Sequence, residues 1–194
     1  MLTIRLAAAE DTALLRDIYA QYMDTPITFE LEVPSLQEYR RRIEGITKTY
    51  PYLVAEWNDR IVGYAYAHSF RERQAYRWGA ELSVYIDRQH QGKGIGTELY
   101  KKLIRILKLQ NIKIVYAGVT LPNEKSEGLH RSLGFDTVGV YHQTGYKCGK
   151  WHDVKWFEKF IGDFTGEPAD ILPITQLDSG IVEALLKIPD DTVR

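Results

Sequence analysis

Six residues, Gln91-Gly92-Lys93-Gly94-Ile95-Gly96, carry the clearest chemical pattern in the chain. They lie between a stretch of strand character, Ala80 to Ile86, and one of helical character that runs to about Gln110. Glycines at alternate positions leave main-chain N–H groups uncovered by side chains. A helix beginning there adds the positive end of its dipole, and the two together seat a phosphate. The spacing excludes two other phosphate loops. There is no Gly, four residues, then Gly-Lys-Ser/Thr, and Thr97 stands where a dinucleotide fingerprint needs glycine or alanine. What remains is Gln-x-x-Gly-x-Gly, which in isolation also reads as a plain tight turn.

Other groups able to do chemistry flank this loop. Glu81 lies in the preceding strand, after a connection rich in arginine and aromatic residues: Arg71, Arg73, Tyr76, Arg77 and Trp78. A carboxylate partly buried beside Trp78 would have a raised pKa and could take a proton, directly or through water. Alone, Glu81 also reads as an ordinary salt-bridged strand glutamate, and the arginines as a solvated loop face. Downstream, Asn123 is placed to cap a helix that carries Ser126 and His130. Cys148 is the sole cysteine, which excludes an internal disulfide and a cysteine-rich metal site. The histidines at 68, 90, 130, 142 and 152 show no metalloprotease-like spacing, so no metal is expected.

At 194 residues, with 44% hydrophobic and 26% charged residues, the chain has the composition of one ordinary globular domain. A formal net charge of −1 gives no reason to expect nucleic acid or an anionic membrane surface as partner. No apolar run reaches the length of a membrane span, and Met1 to Arg5 does not read as a signal peptide, so a cytoplasmic protein is expected.

The elements that must position these groups follow from periodicity. Leu2, Ile4 and Leu6 alternate with polar residues as a first strand, and Glu10 or Asp11 caps a helix that Pro26 stops. Ser35 and Glu38 form a capping box for a second helix, expected to reach about Ile43 and to end at Gly45. Tyr52–Trp57 and Ile61–His68 read as a hairpin, followed by strand 80–86 and the long helix with Ile95, Leu99, Leu103, Ile106 and Leu107 on one face. Lys113–Val119 is apolar enough to lie inside a sheet. A helix to Leu133 follows, then two antiparallel strands, 137–143 and 147–157, expected to turn at Thr144-Gly145. From Gly162 the composition shifts to that of a surface linker. Ile181 to Lys187 reads as a short helix whose apolar side needs a partner surface on this chain or another copy. The organisation expected is a domain over 1–161 and a linker with a short helical tail over 162–194.

The order strand, two helices, three strands, glycine loop, helix, strand, helix, two strands is similar to that of the GNAT N-acetyltransferases, and the glycine loop resembles their pyrophosphate loop. Asn123-x-x-Ser126-x-x-Leu129-His130-x-x-x-Gly134-Phe135 resembles that superfamily's second signature, with serine for alanine and histidine for tyrosine. Tyr76-x-Trp78-x-x-Glu81-x-Ser83-Val84-Tyr85, Leu121-Pro122-Asn123 and Gly145-Tyr146-Lys147-x-Gly149-x-Trp151-His152-Asp153-Val154 narrow the resemblance to the phosphinothricin and methionine sulfone N-acetyltransferases, from roughly Ile4 to Phe157.

The resemblance implies an α/β fold of the GNAT type, with a central mixed, mostly antiparallel sheet flanked by helices. It implies acetyl transfer from acetyl-CoA to an amino-acid-like acceptor in a direct-transfer ternary complex, by an enzyme that is commonly a homodimer. The cofactor would lie on Val84, Tyr85 and Ile86 through their main chain, on Gln91, Gly92, Lys93, Gly94, Ile95 and Gly96, and on Asn123 and Ser126. Glu81 would be the general base, and His130 would stand where most relatives carry the tyrosine that protonates the departing thiolate. Arg73 and Tyr76 would face the acceptor's acidic oxygens, with Phe29 walling the same pocket. Other acceptors (a plain amino acid, a small amine, a protein N-terminus) and a non-catalytic acyl-CoA-binding module are the alternatives.

Overall fold

The structure is a computed structural model, in which residues 1–188 are described. A seven-stranded sheet runs in the order β1-β2-β3-β4-β5-β7-β6. Its strands are β1 (Leu2–Leu6), β2 (Tyr52–Trp57), β3 (Arg60–Ser69), β4 (Gly79–Ile86), β5 (Ile114–Thr120), β6 (Asp136–Lys147) and β7 (Lys150–Phe160). All neighbours pair antiparallel except β4 and β5. The helices are α1 (Thr12–Ala20), α2 (Leu36–Thr47), α3 (Ile95–Leu109), α4 (Glu124–Ser132) and α5 (Ser179–Lys187). This is the mixed, mostly antiparallel sheet with flanking helices expected above.

Strand alternation sorts the core into two faces. Leu53, Ala55, Ala65, Ala67, Ala80 and Leu82 pack with the apolar stripe of α3: Leu99, Leu103, Ile106 and Leu107. The opposite face is aromatic: Tyr52, Val54 and Tyr64 pack with Leu15, Ile18 and Tyr19 of α1 and Tyr39 and Ile43 of α2. Small alanines on the α3 side let that helix lie close to the sheet, whereas stacked tyrosine rings fill a deeper layer opposite. Tyr52 and Tyr66 stack with centroids 4.8 Å apart, and Tyr64 stacks on Tyr85 at 5.4 Å.

Three boundaries differ from those read in the sequence. α1 ends at Ala20, and hydrogen-bonded turns carry the chain on towards Pro26. α2 opens at the expected cap, Ser35 accepting from Glu38 N at 3.1 Å, but runs through Gly45 to Thr47. Burial of Ile43 and packing of Ile46 outweigh the roughly 1 kcal/mol that a helical glycine costs. The β6–β7 hairpin turns at Cys148-Gly149, not at Thr144-Gly145. Both turn residues have left-handed φ (51° and 78°), the geometry of a two-residue hairpin loop, while the register shifts between Tyr141 and Gly145.

The segment beyond Ile161 runs back over the domain. α5 packs on α3 and β1, with Val182 and Leu186 buried in the α3-side core. Its apolar side thus finds its partner on this chain. Among the described residues, no helix is long and apolar enough to cross a membrane.

Candidate active site

The sheet opens at its one parallel joint. β4 and β5 pair only through Gly79–Ile114, Ala80–Val115 and Glu81–Tyr116, and then part. On its other edge β4 stays paired with β3 as far as Ile86. The Asp87 N–H donates to Val62 O, which sets the phase of that ladder. Val84 and Ile86 therefore direct their main-chain groups away from β3, into the gap left by β5. Tyr22 donates its hydroxyl to the Ile86 carbonyl. Tyr85 has the opposite phase: its main chain serves β3, and its ring packs on Tyr19 and Tyr22 in the aromatic layer. It does not line the gap, contrary to the expectation for this residue.

The gap widens into a cleft of about 760 Å³, lined by Val84, Ile86, Gln91, Gly92, Gly94, Ile95, Gly96, Asn123 and Ser126 among others. The glycine loop forms one end. Gly92 (φ 76°) and Gly94 (φ 79°) are left-handed, a conformation that side chains disfavour, and Gly94 is the N-cap of α3. A Cβ on either would meet nothing within 4 Å, so it is the backbone angle that demands glycine there. At Gly96 the reason is proximity: a Cβ would stand 3.5 Å from Leu129 and 3.8 Å from Val84, where α3, α4 and β4 converge. Lys93 swings its ammonium over the Trp57 ring, 5.6 Å from the centroid, so the loop has only the main chain of this residue to offer. Gln91 is braced from both sides, donating to the Tyr22 hydroxyl at 2.8 Å and accepting from Lys125 at 3.0 Å. Lys125 and Arg88 bring positive charge to the cleft wall, two groups that the sequence motif did not mark. Uncovered N–H groups, a helix N-terminus and nearby cations suit a pyrophosphate, and the apolar strand beyond suits an extended amide-bearing arm.

Glu81 sits at the apex where the strands part. Burial raises its carboxyl above the usual range, and the charges of His68 and Arg71 pull it partly back. It pairs across the ladder with His68. Trp78 is not its cover as expected; that indole turns away and donates to the Ala169 carbonyl at 2.8 Å. On the aromatic side of the sheet, His68 and Tyr66 line a second pocket of about 390 Å³ together with Tyr19, Tyr39, Tyr52, Glu30 and Arg42. The cleft and this pocket thus lie on opposite faces of the sheet. Tyr100 is fully buried on α3, and that burial, more than the nearby carboxylate of Glu81, holds its hydroxyl protonated. Its place in the apolar stripe of α3 hides it from sequence reading.

The acceptor candidates divide. Phe29 lies against the β6–β7 hairpin: a Cβ at Gly145 would come within 2.5 Å of its ring, and its centroid is 6.4 Å from that of His152. Next to it, Lys147 is buried and donates to Thr28 O at 2.8 Å. Arg73 is exposed at the head of a one-turn 3-10 helix, and Tyr76 is half exposed with its ring edge-on to Phe70. Of the neighbouring arginines, Arg71 lies over Phe70 at 4.9 Å and Arg77 over Trp78 at 4.4 Å.

His130 is deeply buried, stacked on Phe157 at 5.1 Å and edge-on to Phe135. Its Nδ1 faces the Ser126 carbonyl at 2.7 Å, which assigns the proton to Nδ1 and leaves Nε2 a buried lone pair without a hydrogen-bond partner. Burial pushes the imidazole below its usual pKa, and the Ser126 bond only partly offsets this. Burial thus favours the neutral ring, and the ring is not among the residues that line the cleft. Asn123 caps α4, accepting from Ser126 N at 3.2 Å, with both residues on the cleft wall.

A sheet split beside a buried carboxylate and a left-handed glycine loop at a helix start define an acyltransferase of the GNAT class. The family of acetyltransferase (GNAT) domains matches residues 4–156. Phosphinothricin N-acetyltransferase of Streptomyces viridochromogenes is 37% identical over 175 residues, covering 90% of this chain and 95% of the relative. The L-methionine sulfoximine/L-methionine sulfone acetyltransferase of Salmonella typhimurium is 32% identical over 165 residues, covering 81% and 93%. Among solved structures, a GNAT superfamily phosphinothricin acetyltransferase from Sinorhizobium meliloti in complex with AcCoA superposes with a TM-score of 0.83 at 34% identity, covering 87% of this chain and 93% of that one. The chain belongs to the phosphinothricin and methionine sulfone branch of the GNAT N-acetyltransferases.

Proposed function

We propose that the protein transfers an acetyl group from acetyl-CoA to the amino group of an amino-acid-like acceptor of the phosphinothricin, methionine sulfone or methionine sulfoximine type. One observation carries the reading: β4 leaves β5 just after Glu81, whose carboxyl is raised by burial on one face of the sheet, while the cleft that opens at the same split on the other face ends on the glycine loop. Acetyl-CoA supplies an activated thioester, and every further requirement falls on residues of the chain.

The N–H groups of Gly92 to Gly96 take the pyrophosphate, and the outward main-chain groups of Val84 and Ile86 take the amides of the pantetheine arm as an added strand would. Asn123 and Ser126 hold the wall opposite. On the other face, Arg73 meets the acceptor's acidic oxygens with a planar fork of donors, while Tyr76 and Phe29 flank it. Glu81 takes one proton from the acceptor's ammonium and frees the lone pair that attacks the thioester carbonyl. A carboxylate raised by burial is a better base than an exposed one. As the C–S bond breaks, the nitrogen gives up a second proton and the sulfur gains one, which balances the exchange. His130, on the inner face of α4, stacks on Phe157 of β7 and holds that helix against the sheet.

The reading includes a cytoplasmic homodimer. Exposed aromatic residues on the last hairpin, Tyr141, Tyr146 and Trp151, support a subunit contact there, and sedimentation would test it. The function itself is tested by turnover of acetyl-CoA with phosphinothricin, methionine sulfone and a neutral amine such as tyramine. Turnover of the two acidic acceptors is expected. A protein active only on tyramine overturns the acceptor class, and one inactive on all three overturns the enzyme.

A further inference from the structure

The segment between Ile161 and α5 bonds to the connection that precedes the proposed base. Trp78 donates its indole N–H to Ala169 O at 2.8 Å, and Arg77, lying over the Trp78 ring, pairs with Asp170 at 2.5 Å. The strap is fastened to the domain at this contact and just beyond it. Asn111 donates to Asp170 O at 2.7 Å, Leu172 N–H donates to Gln110 O at 3.1 Å, and the Gln110 side chain bridges Leu172 O (2.7 Å) and Thr49 O (2.6 Å). Ile174 N–H then donates to Thr49 O at 2.9 Å. Gln110 is buried, so this clasp is a fixed part of the domain.

Trp78 is held from its other side as well. Its carbonyl accepts from Lys113 N at 2.8 Å and Ile114 N at 3.3 Å, where β5 begins. The next residue, Gly79, opens the short β4–β5 pairing that ends at Glu81. A Cβ on Gly79 would stand 3.4 Å from Tyr116 and from Tyr76 O, so the chain passes here with little slack. The connection carrying Arg73 and Tyr76 is therefore free at its middle and clamped at the end nearest Glu81, and the clamp comes from the C-terminal strap.

We infer that Ala169 and Asp170 are positioning residues for acceptor recognition, acting through Trp78 and Arg77 to hold the Phe70–Gly79 connection in register with Glu81. This rests on the acceptor assignment of Arg73 and Tyr76 proposed above. Such a role separates the two substrates: loosening the strap should weaken the acceptor without touching the glycine loop.

The variants are Trp78→Phe, which keeps a ring and deletes the N–H, and Asp170→Ala, which deletes the ion pair. Steady-state kinetics of the full chain should show the acceptor KM raised about 3–10-fold in Trp78→Phe and about 2–3-fold in Asp170→Ala, with the acetyl-CoA KM within twofold of wild type. Asp170→Glu should recover most of the second effect. Hydrogen exchange of the amides between Phe70 and Gly79 should quicken in both variants while those of Gly92 to Gly96 stay unchanged, a readout independent of any acceptor. Unchanged exchange in the connection, or an equal rise in both KM values with a fallen Tm, overturns the inference. Wild-type inactivity on every amine would overturn the function proposed above, and the exchange experiment would still decide the role of the strap.

Discussion

The two sides of the site are made of different materials. The cleft proposed for the cofactor is walled by backbone: two left-handed glycines, the first turn of α3, and the unpaired edge of β4. The pocket on the opposite face is walled by side chains, stacked tyrosines, His68 and Arg42 with Glu30, and the connection proposed to meet the acceptor is held at Trp78 by Ala169. Backbone recognition suits a partner whose pyrophosphate and amides never vary. Side-chain recognition suits a partner that does, because one residue can change without disturbing the ladder. The proposed base stands where the two meet.

The largest effect should come from that meeting point. Glu81→Gln keeps the shape and cannot accept a proton, so kcat should fall roughly 10²–10⁴-fold with both KM values nearly unchanged. The acidic limb of the pH–rate profile should go with it. The sign for stability is opposite. Burial raises the folded pKa of Glu81, so the neutral form is the one folding favours, and the stability it contributes is lost as pH rises through the raised value. Glu81→Gln should therefore be at least as stable as wild type at pH 7, as thermal unfolding would reveal. A kcat within a few-fold would make Glu81 structural.

Next in size is the glycine loop. Gly94→Glu puts an anion and a Cβ at a φ of 79°, and acetyl-CoA binding should weaken by about 2–4 kcal/mol in calorimetry. Acceptor affinity should hardly move, and if both fall together the separation of the two sides is false. Arg73→Ala should do the reverse, raising the acceptor KM by the equivalent of about 1.5–3 kcal/mol for a bond to a charged group and leaving acetyl-CoA alone. Arg73→Lys should restore only part, since an ammonium lacks the planar fork. The smallest effect tests the border: Tyr22 stands in the aromatic layer yet bonds Ile86 O and Gln91. Tyr22→Phe should raise the acetyl-CoA KM about 2–5-fold, the size of one neutral hydrogen bond, with the acceptor KM unchanged.

The same contrast explains which features the sequence made legible. Glycines at 92, 94 and 96, the Ser35 and Asn123 caps, and the α3 stripe are local, each set by residues within one or two turns, and they stand where periodicity and capping put them. Misplaced features depend on distant partners. Gly45 reads as a helix stop until Ile46 is seen packing on the core, and Thr144-Gly145 reads as a turn until Phe29 is found lying on Gly145. Glu81 was visible as a carboxylate, but the strand split beside it is a relation between β4 and β5 that neither segment states alone. Trp78 looked like its cover because it is near in sequence; Ala169 holds it instead. Nothing along the chain links those two positions.

The split between β4 and β5 has a thermodynamic consequence. Beyond Glu81, β4 has a ladder on one side only, so the middle of the sheet contains an internal edge. An unfilled edge is where a sheet opens first, and a cofactor bound as proposed, like an added strand, would close it. Binding should thus be read in the folding equilibrium as well as in catalysis. At a free concentration one hundred times Kd, a ligand that binds only the folded chain adds about 2.7 kcal/mol to its stability. Under this binding mode the free acyl-CoA concentration would set how often the central sheet opens at that edge, and the enzyme would lose its protection when the pool falls below Kd.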